Sequence, residues 1–137
     1  MPNEQQTIDL ITRYYAAFNR ADWDQMLSLL ADDVVHDLNQ GERQVGREAF
    51  AAFLARMARC YLEVLTDIRV MQNADGSHAA AEYVVSGQYL SSDEGLPPAM
   101  GQRYRLPGGA FFDVREGRIT RVSNYYNLQD WIAQVSA

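Results

Sequence analysis

The segment Asp32-Asp33-Val34-Val35-His36-Asp37-Leu38-Asn39-Gln40-Gly41-Glu42 sets a carboxylate beside an imidazole inside an apolar run. Burying either group costs free energy unless it is paired, hydrogen-bonded or neutralised, and groups perturbed in this way gather at functional sites. The chemistry these residue types serve is proton transfer. A carboxyl whose pKa is raised by desolvation accepts a proton from carbon, and an imidazole shuttles a proton or orients a neighbouring acid. In a strand, Val35, Asp37 and Asn39 share one face while Val34, His36 and Leu38 share the other. Alternation alone turns the more apolar His36 face inward. The plainer alternatives are an Asp37 that bonds the backbone of the turn before Gly41, and a His36 that is partly buried and satisfied or sits at a subunit interface.

Several elements must position this segment. Asn3 with Gln6 three residues later forms a capping-box pattern, and Ile8, Ile11, Tyr15 and Phe18 recur at helical spacing, so a first helix runs to about Asn19. Asp22 with Gln25 opens a short second helix carrying Trp23, Met26, Leu27 and Leu30. A focal strand over about Val34 to Asn39 follows, and Gly46 precedes a third helix with Phe50, Phe53, Leu54 and Met57 at core spacing. After Tyr61 the period changes to two: Leu62, Val64, Ile68 and Val70 alternate up to the Asn73-Ala74-Asp75-Gly76 turn, a strong hairpin signal before a long strand from His78 to Leu90. Gly101 to Leu106 and Phe111 to Arg115 read as two halves of one strand broken at Pro107-Gly108-Gly109, where a bulge or bend is expected. A last strand over Arg118 to Tyr126 leads into a short amphipathic tail with Leu128, Trp131, Ile132 and Val135. Helices first and strands later argue for an α+β fold, a cone of three N-terminal helices packed on a strongly curved, mostly antiparallel sheet. The space between helices and sheet is a usual place for a small-molecule site.

Bulk properties narrow the function further. The 137 residues make one domain, 1–137, long enough to bury a core without disulfides or metal. A net charge of −6 disfavours nucleic acid and anionic membrane as partners. The one cysteine, Cys60, permits no intramolecular disulfide, and no Cys/His metal spacing is present. The polar start and the lack of a long apolar run predict a cytoplasmic protein. Trp23, Phe50, Phe53, Tyr83, Tyr89, Tyr104, Phe111 and Tyr126 supply aromatic area for a pocket that takes a flat apolar ligand, or equally for an ordinary core. Asn124 or Asn127 could orient a polar group or cap a turn or helix, and a cross-strand ion pair accounts for Glu82 and Arg121.

Tyr14-Tyr15-Ala16-Ala17-Phe18-Asn19, Ala21-Asp22-Trp23, Leu30-Ala31-Asp32-Asp33, Gly46 with Phe50, Glu116-Gly117-Arg118-Ile119 and Tyr125-Tyr126-Asn127-Leu128 together carry a resemblance. The chain resembles the nuclear transport factor 2-like superfamily, in its ketosteroid isomerase-like and SnoaL-like branch, over nearly its whole length. The steroid isomerase of that superfamily combines an Asp base with a Tyr and a protonated Asp that donate to the oxyanion. The resemblance therefore implies Asp37 as base, facing the cavity, and Tyr14 as oxyanion donor, with His36, Asn39, Trp23, Phe53, Tyr83, Tyr104, Phe111, Asn124 and Tyr126 as pocket or supporting residues. It also implies a homodimer formed through the sheet, a small apolar ligand, and no metal or organic cofactor. The chain departs from the pattern where a second oxyanion acid is due, offering Gly108, Gly109, Ala110 and Phe111, and it carries Asn127 where the SnoaL-like branch often has an acid. Two functions are thus expected to compete. One is an enzyme that isomerises, cyclises or dehydrates an apolar carbonyl or polycyclic substrate through an enolate, with epoxide hydrolysis also open to this fold. The other is a non-catalytic ligand-binding or association module using the same pocket.

Overall fold

The computed structural model describes residues 4–38 and 40–137, so Asn3 of the capping-box pattern and Asn39 of the focal strand lie outside the described residues. Among the described residues the chain runs α1 (Glu4–Asn19), α2 (Trp23–Ser28), β1 (Leu30–Leu38), β2 (Arg43–Val45), α3 (Arg47–Cys60), β3 (Tyr61–Gln72), β4 (His78–Tyr89), β5 (Arg103–Arg115), β6 (Arg118–Tyr126) and α4 (Leu128–Ser136). The strands form one sheet in the order β2-β1-β6-β5-β4-β3. Its neighbours pair antiparallel except β1 with β6, which run parallel. Helices packed on a curved sheet make the expected α+β cone.

Local chemistry explains most boundaries. Asp22 caps α2, its carboxylate accepting from the Gln25 amide at 3.2 Å. The helix stops at Ser28 because Leu30 already belongs to β1, which starts four residues before the expected Val34. The amphipathic tail is a fourth helix, capped by Asn127, whose side chain accepts from the Asp130 amide at 3.0 Å. β5 corrects the expected break at Pro107-Gly108-Gly109. These residues pair without interruption with Val84, Tyr83 and Glu82. β6 ends opposite Gly108, so the proline stands where β5 has lost one neighbour and its missing N–H costs no ladder bond on that side.

The bulge lies in β3 instead. Thr66 pairs with Val84 and Arg69 with Glu82, leaving Asp67 and Ile68 opposite Tyr83 alone, with Asp67 in the left-handed region at φ 53°. The extra residue reverses the phase of the strand. Tyr61, Glu63 and Leu65 point to the helices before it and Ile68 and Val70 after it, while Leu62 and Val64 lie outside. Asn19, the last residue of α1, holds this irregular point in place. Its side chain accepts from the Leu65 amide at 2.8 Å and donates to the Leu65 carbonyl at 2.9 Å.

Two apolar clusters fill the concave side. In the larger, Leu10, Ile11, Tyr14, Tyr15 and Ala17 of α1 meet Phe50 and Leu54 of α3 over Ala79, Ala81, Ala110 and Phe112 of the sheet. The small alanine side chains leave room for the α1 tyrosines to approach. The second gathers Tyr89, Tyr104 and Leu106 under Trp131 and Val135 of α4. Asn19→Ala removes both bonds to Leu65 beside the bulge, so it is expected to lower unfolding stability by about 1–3 kcal/mol. Urea unfolding measures this, and an unchanged midpoint would show that the bulge needs no clamp.

Candidate active site

Register fixes which side chains share the concave face. One row across the sheet is Glu63, Gly87 and Tyr104, and another is Tyr83, Gly108 and Tyr126. Further along, Ala81, Ala110, Asn124 and Leu38 form a third row. Most of this face is sealed by α1. Tyr61, Glu63, Tyr83, Val85 and, from α3, Phe53 and Met57 keep partial exposure, and Tyr126 is 39% exposed. Partial exposure on an otherwise buried face marks an open recess bordered by α3. A separate surface recess of about 770 Å³ lies between α1 and the β5–β6 turn, but its ionisable residues, Asp9, Arg13 and Glu116, are all exposed. Glu63, His36, Tyr83, Tyr104 and Tyr126, all shifted by burial against their charged forms, are on the concave face, which makes that face the candidate site.

Glu63 is the carboxylate of the recess. Desolvation by the surrounding protein pushes its carboxyl up, and a hydrogen bond donated by the Tyr104 hydroxyl at 2.5 Å partly restrains that rise. Burial and the Glu63 charge together raise the Tyr104 hydroxyl well above its ordinary value, so it stays protonated as a donor. Tyr83 is pushed up to about 12, first by burial, with the Glu63 charge adding to it. The Tyr126 hydroxyl is raised by burial and by the charges of Glu63 and Asp93. At the rim, Asp93 from the β4–β5 loop receives the Arg56 guanidinium at 3.0 Å and the Tyr61 hydroxyl at 2.7 Å. Its amide donates to the Tyr89 hydroxyl, which in turn donates to the Pro97 carbonyl. These bonds tie the loop to α3 and β3 beside the opening.

His36 lies deeper on the same face, 1% exposed. Its ring stacks on Phe50 with centroids 4.4 Å apart and meets Phe53 edge-on at 4.7 Å. Nε2 stands 3.0 Å from the Asn124 amide nitrogen. An amide NH₂ only donates, so Nε2 accepts and the neutral ring carries its proton on Nδ1, which has no partner among the described residues. Burial pushes His36 down to about 4, against a smaller upward pull from Asp37.

The other sequence candidates divide between the recess and other places. Phe53, Tyr83, Tyr104 and Tyr126 border the recess or its floor, and Asn124 serves His36. Asp37 points out of the opposite sheet face, where Arg43 grips its carboxylate at 2.6 and 3.0 Å and Arg121 lies 3.8 Å away. The Arg43 bond holds its carboxyl below the usual range, the reverse of what a base for carbon acids needs. Tyr14 is buried edge-on to Tyr15 and Phe112 on the helix side, so it and Asp37 lie on opposite faces of the sheet and do not converge. Trp23 packs against Phe18 between the first two helices, outside the recess. Phe111 is 46% exposed on the outer face beside Tyr125, because its neighbour Phe112 takes the inward position. Glu82 and Arg121 do form cross-strand pairs, with Arg69 and Asp113 respectively. Among the described residues no three His, Cys, Asp or Glu side chains converge as metal ligands, and no helix is long and apolar enough to cross a membrane. Sequence reasoning missed Glu63. It followed Leu62 and Val64 as the inward set, whereas Tyr61 and Leu65 share the Glu63 face and were the signal available.

Comparison with known proteins adds kinship. A family model described as a SnoaL-like domain matches residues 11–122. The crystal structure of a candidate polyketide cyclase from Pseudomonas putida KT2440 is 61% identical, with a TM-score of 0.93 over 94% of this chain and 97% of that one. A candidate polyketide cyclase from Xanthomonas campestris pv. campestris is 63% identical, with a TM-score of 0.94 over 98% and 99%. An epoxide hydrolase of the LEH-like type from M. tuberculosis, 22% identical at a TM-score of 0.71 over 96% and 90%, shares the fold. No curated protein matches.

The buried histidine makes a pH prediction. Between pH 6.5 and about 4 the unfolded chain protonates His36 while the folded chain does not, so stability falls as pH drops through that window. Each tenfold in a proton affinity is worth about 1.4 kcal/mol, giving roughly 3 kcal/mol across the window. Glu63, raised rather than lowered, contributes the opposite slope above its ordinary value. His36→Phe is expected to flatten the acid limb in urea unfolding at stepped pH. An unchanged limb would mean that the folded imidazole protonates freely.

Proposed function

The chain belongs to the SnoaL-like family, and from that premise we propose that it is an acid–base enzyme of the cyclase type, with Glu63 rather than Asp37 as its proton acceptor. One observation carries the reading: Glu63 is a carboxylate with a raised proton affinity, partly open in the recess and oriented by the Tyr104 hydroxyl. A base for a carbon acid works best when its pKa is lifted toward the working pH, and desolvation supplies that lift. The substrate class is an apolar poly-carbonyl compound, in keeping with the candidate polyketide cyclases that share most of this sequence.

Glu63 takes a proton from a carbon beside a carbonyl, leaving an enolate. The enolate carbon then attacks a second carbonyl of the same molecule, forming a carbon–carbon bond and an alkoxide. The proton on Glu63 returns to the alkoxide, so the ring-closed product has the composition of the substrate and the carboxylate is regenerated. Tyr104 positions the base. Tyr83 and Tyr126, held protonated on the same face, supply hydroxyl donors for the developing oxyanion.

The test is exchange of the α-protons of 2-tetralone in deuterated buffer, followed by NMR. The protein is expected to accelerate exchange, and Glu63→Gln to lose about a hundredfold or more of the acceleration. Tyr104→Phe removes the bond that lowers the Glu63 pKa, so its rate should rise with pH at a higher value than in the parent. An unaltered rate in Glu63→Gln ends the base assignment. Absence of any acceleration by the parent leaves a ligand-binding module.

The outer sheet face fits a homodimer interface. Leu62, Val64, Met71, Phe111 and Tyr125 remain 45–60% exposed there, with Phe111 edge-on to Tyr125, apolar side chains that a second copy would cover. Phe111→Glu, which sets a charge in that face, is expected to lower the mass in light scattering from dimer to monomer. A parent protein that is monomeric at every concentration overturns the interface.

A further inference from the structure

Two glycines of the concave face have no conformational reason to be glycine. Neither Gly87 nor Gly108 is among the residues with positive φ, and both lie inside continuous strands. What they lack is used for space. A Cβ at Gly87 would come within 2.6 Å of the Tyr104 ring edge and 2.5 Å of its hydroxyl, and one at Gly108 would sit 2.8 Å from Cε1 of Tyr83. Real Cβ atoms essentially never approach so closely. The clashes define the geometry: Tyr104 lies down across Gly87, and Tyr83 lies down across Gly108. An inward side chain ordinarily stands away from the sheet. Here the missing side chains let two rings recline on the backbone. Reclining also carries the Tyr104 hydroxyl over the middle strand to Glu63 on the strand beyond. Between the two tyrosines the floor is apolar, with Leu65, Val85 and Leu106 in one row.

We infer that Gly108 is a specificity-determining position, which lays the half-buried Tyr83 flat so that the recess accepts planar, unsaturated ring systems and rejects puckered ones. This rests on the concave recess being the ligand site of the preceding reading, but it does not require Glu63 to act as a base. An aromatic face offers a planar partner offset stacking over its full area, while a saturated ring of the same skeleton touches it only through axial hydrogens. Gly87 is a positioning residue: Tyr104 is covered by Trp131, and a side chain at Gly87 would lift its hydroxyl off Glu63.

Calorimetric titration with 2-naphthol and with decahydro-2-naphthol tests the inference, as the two share skeleton and hydroxyl and differ in flatness. The parent protein is expected to prefer 2-naphthol by about tenfold. Gly108→Ala, which raises the Tyr83 ring into the recess, should abolish the preference. Tyr83→Leu removes the ring without adding an atom to the strand, and should do the same even if the alanine variant fails to fold. Gly87→Ala should in addition shift the Glu63 carboxyl titration, read by carbon NMR, to higher pH. Equal binding of both alcohols by the parent, no binding of 2-naphthol, or a preference kept in both Gly108→Ala and Tyr83→Leu overturns the inference. Glu63→Gln separates the two readings. A preference retained with exchange of 2-tetralone unchanged would sink the base and keep the floor, and a preference absent with exchange lost would do the reverse.

Discussion

Strand β3 changes phase at Asp67, and that one added residue decides what the inside of the cone contains. Without it, the outward Leu62 and Val64 would be in phase with the inward Ile68 and Val70, Glu63 would face the other side, and the concave face would be almost wholly apolar. The bulge needs an outside partner, because two β3 residues there face a single residue of β4. Asn19 supplies it by closing both polar groups of Leu65 with one side-chain amide. The end of the first helix thus sets the register of polarity in a strand forty-six positions later. A structural device in the core and the placement of an acid in the recess are the same event.

Two ionisable groups on this face meet desolvation in opposite ways. His36 is sealed between Phe50, Phe53 and Asn124 and answers by remaining neutral, which suits a stacked ring. Glu63 is only partly exposed and keeps a hydroxyl donor; desolvation raises its proton affinity and the Tyr104 bond restrains the rise. A sealed imidazole can only stay neutral, whereas a half-open carboxyl remains within reach of solvent. The charges that need no such compromise stand on the outer face. There Arg43, Asp37, Arg121 and Asp113 alternate in sign across β2, β1, β6 and β5, with His78 of β4 against the last of them.

Element order and fold class were legible in the sequence because they depend on signals of short range. Helical spacing in α1 and α3, the Asp22 cap and the Asp-Gly hairpin each act over a few residues. Strand alternation in β1, taken by itself, turned His36 inward, and that is where its side chain lies. The resemblance argued the reverse for Asp37, since it transfers a position and not the arginines that this chain places opposite it. Glu63 was illegible for a different reason. Both faces of β3 carry apolar residues, so alternation offers two equivalent phases, and only tertiary contact with Asn19 selects between them. The glycines of β4 and β5 were legible as glycines but not in meaning. Pro107-Gly108-Gly109 spells a break when read along the chain, whereas the use of Gly108 appears only across it, in Tyr83 on the neighbouring strand.

The parallel seam between β1 and β6 joins segments from opposite ends of the chain, bringing Asn124 to His36 across 88 positions. On a ribosome β1 and the small β2 that depends on it emerge before the meander, yet the strand that must flank them follows it. The meander β3-β4-β5 can assemble hairpin by hairpin as it appears, while the apolar residues of β1 wait without a partner. Closure of such a long-range contact is slow and comes late. Vectorial synthesis therefore leaves the facing edges of β1 and β5 open together, and the interval ends only when β6 clears the exit tunnel.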